Sequence, residues 1–200
     1  SRRGFMKDGL AITAAAAASM SLEEQILLAQ AGQDLQPKRK PAPPVEPLPQ
    51  GKLGKLNVSR LILGGNLIGG WAHARDLIYV SDLLKHYFTD EKILETFAIA
   101  EAHGVNVVNT HPNAKDIVHR YWKQGGKIQW MAQGFPDDKD HFDSLRKLID
   151  AGAHSVYIQG NVGDQLVKAK KFDLINKALD FIRDNGLPAG IAGHMLYVPQ

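Results

Sequence analysis

Beyond residue 52 the apolar positions fall into two patterns that take turns along the chain. Short apolar runs at residues 60–63, 105–108, 127–132, 155–158 and 189–192 have the length and β-branched content of buried strands. Between them the apolar residues recur every three or four positions, as they do on one face of a helix. Residues 76–87 carry Leu77, Val80, Leu83 and Leu84 at that spacing, and 91–103 carry Ile93, Leu94, Phe97, Ala98 and Ala100. A third helix, capped by Asn113, presents Ile117, Val118, Tyr121 and Trp122. Residues 140–150 present Phe142, Leu145, Leu148 and Ile149, and residues 173–185 present Leu174, Ile175, Ala178, Leu179 and Ile182. Gly104, Gly125, Gly126, Gly152 and Gly186 stand where these helices should stop.

Strict alternation of strand and helix predicts an α/β fold with parallel strands and right-handed crossovers. A doubly wound parallel sheet and a (β/α)8 barrel of the TIM type both satisfy it. The first glycine-rich turn, Gly64-Gly65-Asn66-Leu67-Ile68-Gly69, lacks the G-x-G-x-x-G spacing of a dinucleotide-binding sheet. A barrel takes about 250 residues, so one starting near residue 51 is expected to be truncated here, after strand five.

The stretch before residue 51 has a different character. Six of the chain's ten prolines lie within residues 36–50, which favours an extended tether over helix or central strand. Ser21-Leu22-Glu23-Glu24 has capping-box spacing and predicts a short helix through Ala29. Residues 1–20 open with Ser1-Arg2-Arg3-Gly4-Phe5-Met6-Lys7, which closely resembles the twin-arginine export signal, and continue into an alanine-rich apolar run too short to span a membrane. The expected organisation is a signal peptide at 1–20, a helix and proline-rich linker at 21–50, and a barrel portion at 51–200. That address implies handling by the twin-arginine export machinery and a periplasmic or otherwise exported protein.

Composition narrows the function classes. At 44% hydrophobic residues and 22% charged, the chain has enough apolar content for a core. A net charge of +3, with basic residues dispersed apart from Lys38-Arg39-Lys40, argues against a nucleic-acid partner. The absence of cysteine excludes disulfides, thiolate metal sites and a cysteine nucleophile.

Two segments carry a family resemblance. Residues 53–66, L-G-K-L-N-V-S-R-L-I-L-G-G-N, look like the opening hairpin and first strand of aldo-keto reductases. Residues 101–110, E-A-H-G-V-N-V-V-N-T, are similar to that family's second unit, A-x-x-x-G-I-N-x-x-D-T-A. The resemblance favours the truncated barrel and implies an oxidoreductase-like activity, with NADP as the cofactor of the family. It also implies four catalytic positions, and none is kept. The family's aspartate is Asn109, its tyrosine Ala114, its lysine falls near Gln133 and its histidine near Gln159. Alanine has no proton to donate, so carbonyl reduction by the family's usual mechanism is not expected.

Barrel chemistry gathers at the C-terminal ends of strands. There the sequence offers Asn66, Asn109, His111, Gln133, Gln159, Asn161 and His194, with Trp71 and His73 in the first loop. Carboxamides both donate and accept hydrogen bonds, which suits a neutral polyhydroxylated molecule, and Trp71 offers a stacking face for a sugar. His111, His194 and Asn109 are the candidate catalytic residues, while Asn66, Trp71, Gln133, Gln159 and Asn161 are the candidates for substrate binding. Asp137 and Asp138 are the nearest carboxylates to serve as a base. A divalent metal on His111 and His194 is the alternative, giving a metal-assisted isomerase, lyase or hydrolase, and needs a further ligand. A non-catalytic sugar-binding barrel is the third reading.

Overall fold

The chain divides into two units, residues 1–42 and 43–200. The computed structural model describes residue 21 and residues 48–73, 76–137, 139 and 142–198. The expected signal peptide, the helix from Ser21, the Lys-Arg-Lys run, nearly all of the proline-rich linker, Asp138 and His141 lie outside the described residues.

The second unit opens with an antiparallel hairpin, β1 (Gln50–Leu53) and β2 (Leu56–Ser59). Then follow β3 (Leu63–Gly64), α1 (Asn66–Gly69), α2 (Val80–Tyr87), α3 (Asp90–Ala102) and β4 (Val107–Thr110). A 3-10 turn (Pro112–Ala114) leads into α4 (Lys115–Lys123), β5 (Gln129–Gly134), α5 (Asp143–Asp150) and β6 (Ser155–Ile158). The chain continues through α6 (Gly160–Lys168) and α7 (Phe172–Asp184) to β7 (Ala189–Ile191).

Strands β3 to β7 form one five-stranded parallel sheet in sequential order, flanked by helices. Its two faces differ. The register places Val108 beside Trp130, Ala132 beside Val156 and Ile158 beside Ile191 on one face. Those side chains join Phe97 of α3, Val118 of α4, Leu145 of α5, Leu166 of α6 and Ala178 of α7 in a single apolar cluster. Asn109, Met131, Gln133 and Tyr157, on the other face, are only half-buried. Each fully buried Leu, Phe or Val on the helix side contributes about 1.5–3 kcal/mol, so the fold's stability resides there.

Local chemistry sets the element ends. Thr89 caps α3 by accepting from the Lys92 N–H, with Asp90 and Glu91 in the first turn where the helix dipole favours them. Gly104, Gly152 and Gly186 follow α3, α5 and α7 with positive φ, as expected of stops.

Three expectations shift. The first strand of the parallel sheet is Leu63–Gly64 rather than residues 60–63, because the Ser59 hydroxyl donates to the Leu61 carbonyl (2.6 Å) and turns the chain there. Strands β4 and β5 run two residues further than their apolar runs, which brings Asn109 and Gln133 inside the sheet. Helices α1 and α6 form where loops were expected. Among the described residues no helix is long and apolar enough to cross a membrane.

Candidate functional site

A cleft of about 730 Å³ opens at the C-terminal ends of β3 to β7. Its size is that of a small-molecule site. The structure brings together in its lining seven of the eight residues singled out from sequence: Asn66, Trp71, His111, Gln133, Gln159, Asn161 and His194. The eighth, Asn109, lies one step below on β4, where its Oδ1 accepts the Tyr157 hydroxyl (2.9 Å). Among the described lining residues none is Lys, Arg, Asp or Glu.

Gly65 makes the first wall possible. A Cβ at that position would stand 2.7 Å from the Asn109 carbonyl oxygen and 2.9 Å from the Thr110 Cα, so only glycine lets the β3–α1 turn lie against the end of β4. The Asn66 amide then donates to His73 Nε2 (2.6 Å). Trp71 closes this side with its ring against Gly69.

His111 leaves the buried end of β4. Thr110 is held by the Trp130 indole N–H, which donates to its Oγ1 at 2.7 Å in the core. One residue on, the His111 ring sits edge-to-face between Trp71 (4.9 Å between centroids) and Phe135 (5.1 Å). Its Nδ1 accepts the backbone N–H of Asn113 (3.2 Å), so His111, rather than Asn113, caps the turn ahead of α4. Burial holds the imidazole below its ordinary pKa, favouring the neutral ring. With Nδ1 accepting, the proton of that neutral ring resides on Nε2.

His194 reaches the cleft from the other side, beyond β7. Its ring lies over Gly160, where a Cβ would come within 2.8 Å of it. Its Nδ1–H donates to Asp164 Oδ2 (2.8 Å), and the same carboxylate accepts the backbone N–H of His194 (2.9 Å) and of Met195 (3.1 Å). Burial pushes the Asp164 carboxyl up, but the His194 ring and the two backbone N–H groups outweigh it and hold it below its ordinary value. Asp164 is mostly covered, whereas the His194 side chain is 61% exposed. In the neutral ring, an aspartate that accepts from Nδ1 leaves the Nε2 lone pair of His194 facing outward.

The floor is Tyr157 with Asn109 and Gln133. Burial pushes the Tyr157 phenol above its ordinary value, against the opposing hydrogen bonds to Asn109 and Gln133, so it stays protonated. Gln159 caps α6 by accepting the Val162 N–H (3.2 Å).

Asp164 and Tyr157 are the site residues that sequence reasoning missed. Asp164 lies four residues after Gly160, in a stretch whose Gly160-Asn161-Val162-Gly163 opening has the composition of a loop. Tyr157 looked like one more apolar position of β6. Asp137, expected as a base, instead accepts the Lys139 backbone N–H (3.0 Å) and does not line the cleft. Among the described residues no three His, Asp or Glu side chains are grouped to share a metal ion.

Comparison with protein-family models, with curated proteins and with solved structures finds no match to this chain. The functional reading therefore rests on its own residues.

Proposed function

We propose that the chain is an exported enzyme built on an aldo-keto-reductase-like (β/α)8 scaffold, acting on a neutral carbohydrate or similar hydroxyl-rich molecule by acid–base chemistry. The observation that carries it is the Asp164–His194 pair, opening into a cleft lined by carboxamides and aromatic rings and by no charged residue among those described. The barrel reading draws on sequential strand order and on the gathering of the helices' buried residues at one sheet face. Crossovers of one hand that always advance in one direction place their helices on the same side.

The neutrality of the lining selects the ligand. A phosphate or carboxylate finds no Lys or Arg among the described lining residues, whereas Asn66, Gln133 and Asn161 offer the donors and acceptors that hydroxyl groups use in both senses. Exposed Trp71 supplies a flat apolar face beside them.

The proton-donating machinery that the family resemblance suggests does not fit these residues. At the tyrosine position Ala114 is a buried methyl group, and at the aspartate position Asn109 is bonded to Tyr157 instead. Titration with uncharged mono- and disaccharides tests the proposal. Saturable binding, weakened at least about tenfold by Gln133→Ala together with Trp71→Ala, is expected for lost hydrogen bonds and stacking. Unaltered affinity in that variant would remove the cleft as the site.

The export reading rests on Arg2-Arg3 within the amino-terminal motif. Lysine at both positions retains the charge, so a machinery that reads the arginine pair itself should leave the variant in the cytoplasmic fraction. Equal recovery of both forms outside the cytoplasm would contradict it.

A further inference from the structure

We propose that His111 is the acid partner of His194, and that the cleft catalyses redox-neutral proton transfer beside a carbonyl, exchanging the positions of a carbonyl and a neighbouring hydroxyl. This deepens the reading of the cleft as a site for a neutral hydroxyl-rich molecule and rests on it.

Both imidazoles are pinned at Nδ1, but in opposite senses. At His194 the partner is the Asp164 carboxylate, which only accepts, so Nδ1 carries the hydrogen and, in the neutral ring, Nε2 a lone pair. At His111 the partner is the Asn113 backbone N–H, which only donates, so Nδ1 carries the lone pair and Nε2 the hydrogen. Both rings line the same cleft, so it holds one imidazole ready to take a proton and one ready to give one. Environments that push two titratable groups toward opposite roles are how one site supplies acid and base at a single pH. Trp71 and Phe135 reinforce the assignment, since their rings flank His111 and replace the water that would favour its charged form.

The step balances without an outside oxidant. Nε2 of His194 takes the proton from the carbon next to the carbonyl. The C–H electron pair becomes the carbon–carbon double bond of an enediol, and the carbonyl π pair moves to oxygen, which takes the Nε2 proton of His111. In the second half the neighbouring hydroxyl returns its proton to His111 as its own carbonyl forms. His194 delivers its proton to the former carbonyl carbon. One carbon of the substrate is oxidised and its neighbour reduced. Asn109, Gln133 and the protonated Tyr157 form the polar floor beneath these atoms.

The test is solvent exchange. The protein is incubated in D2O with dihydroxyacetone, erythrulose, glucose or fructose, without nucleotide and with a chelator, and the carbon-bound hydrogens are followed by proton NMR. Deuterium should enter next to the carbonyl of at least one sugar that binds. His111→Ala and His194→Ala should each slow it by about 10²-fold or more, the usual size of a general acid or base contribution, with the fold checked by thermal melt. Ring nitrogen shifts of the free protein should assign the hydrogen to Nε2 of His111 and to Nδ1 of His194. Binding without exchange overturns this proposal and leaves the sugar site standing, whereas no binding of any sugar overturns both. The Nδ1–H tautomer at His111 overturns the paired-histidine assignment alone.

Discussion

Asparagine in place of Asp164 is expected to slow deuterium exchange into a bound sugar by about 10²- to 10⁴-fold, the range over which a positioned base contributes, while sugar affinity stays nearly unchanged. Asp164 is a positioning residue that acts through His194. Its carboxylate accepts the ring Nδ1–H and the backbone N–H groups of His194 and Met195. An amide keeps one accepting oxygen and adds an NH₂ that can meet none of these donors. The ring is then free to carry its hydrogen on Nε2, the atom that has to accept a proton. A merely structural role would lower the melting temperature and raise KM, whereas the positioning role lowers the exchange rate at saturating sugar and changes the ring's nitrogen shifts. Wild-type exchange in Asp164→Asn would dismiss the pair.

The largest effect on stability is expected at Trp130. It is fully buried near the start of β5, the central strand of the sheet, and packs among the helices. Its indole N–H is bonded to Thr110, and its backbone N–H donates to His154 Nδ1 (3.2 Å). Trp130→Ala should cost about 3–5 kcal/mol, the range for truncating a large aromatic in a core. Against a total of about 5–15 kcal/mol, that is enough to unfold much of the population. Trp130→Phe keeps most of the apolar contact but leaves the Thr110 hydroxyl, itself 1% exposed, without its donor, and should cost about 1–3 kcal/mol. Urea melts give both values. A loss under about 1 kcal/mol for the alanine variant would mean that the helix-side face does not anchor the unit, since truncations at such sites typically cost several times more. Because Thr110 precedes His111, the phenylalanine variant should also loosen the His111 ring.

The fold was legible where each strand is an apolar run and each helix ends in glycine. Strand β6 falls at residues 155–158 as its pattern predicts, and α7 is displaced by one residue from its predicted span. What escaped was set by contacts between distant segments. Gly160-Asn161-Val162-Gly163 has the composition of a loop, yet it begins α6. A Cβ on Gly163 would stand 2.1 Å from the Ala192 carbonyl oxygen, and one on Gly160 would strike the His194 ring. Those glycines are there for close approach, and nothing local announces it.

The candidate site divides in the same way. Side chains that follow a strand were visible by position alone, which is why the polar residues at the ends of β3, β4, β6 and β7 meet in one cleft. Asp164 was hidden because its partner is thirty residues away on a different element. Tyr157 was hidden because a tyrosine in a strand reads as apolar until its hydroxyl is seen on the same face as Asn109 and Gln133.

The most direct measurement follows the ring nitrogens of His111 and His194 during titration with neutral sugars. One sugar should perturb both rings along a single saturation curve, because both line the same cleft. Saturable binding that leaves both rings unmoved would place the ligand elsewhere and contradict the site.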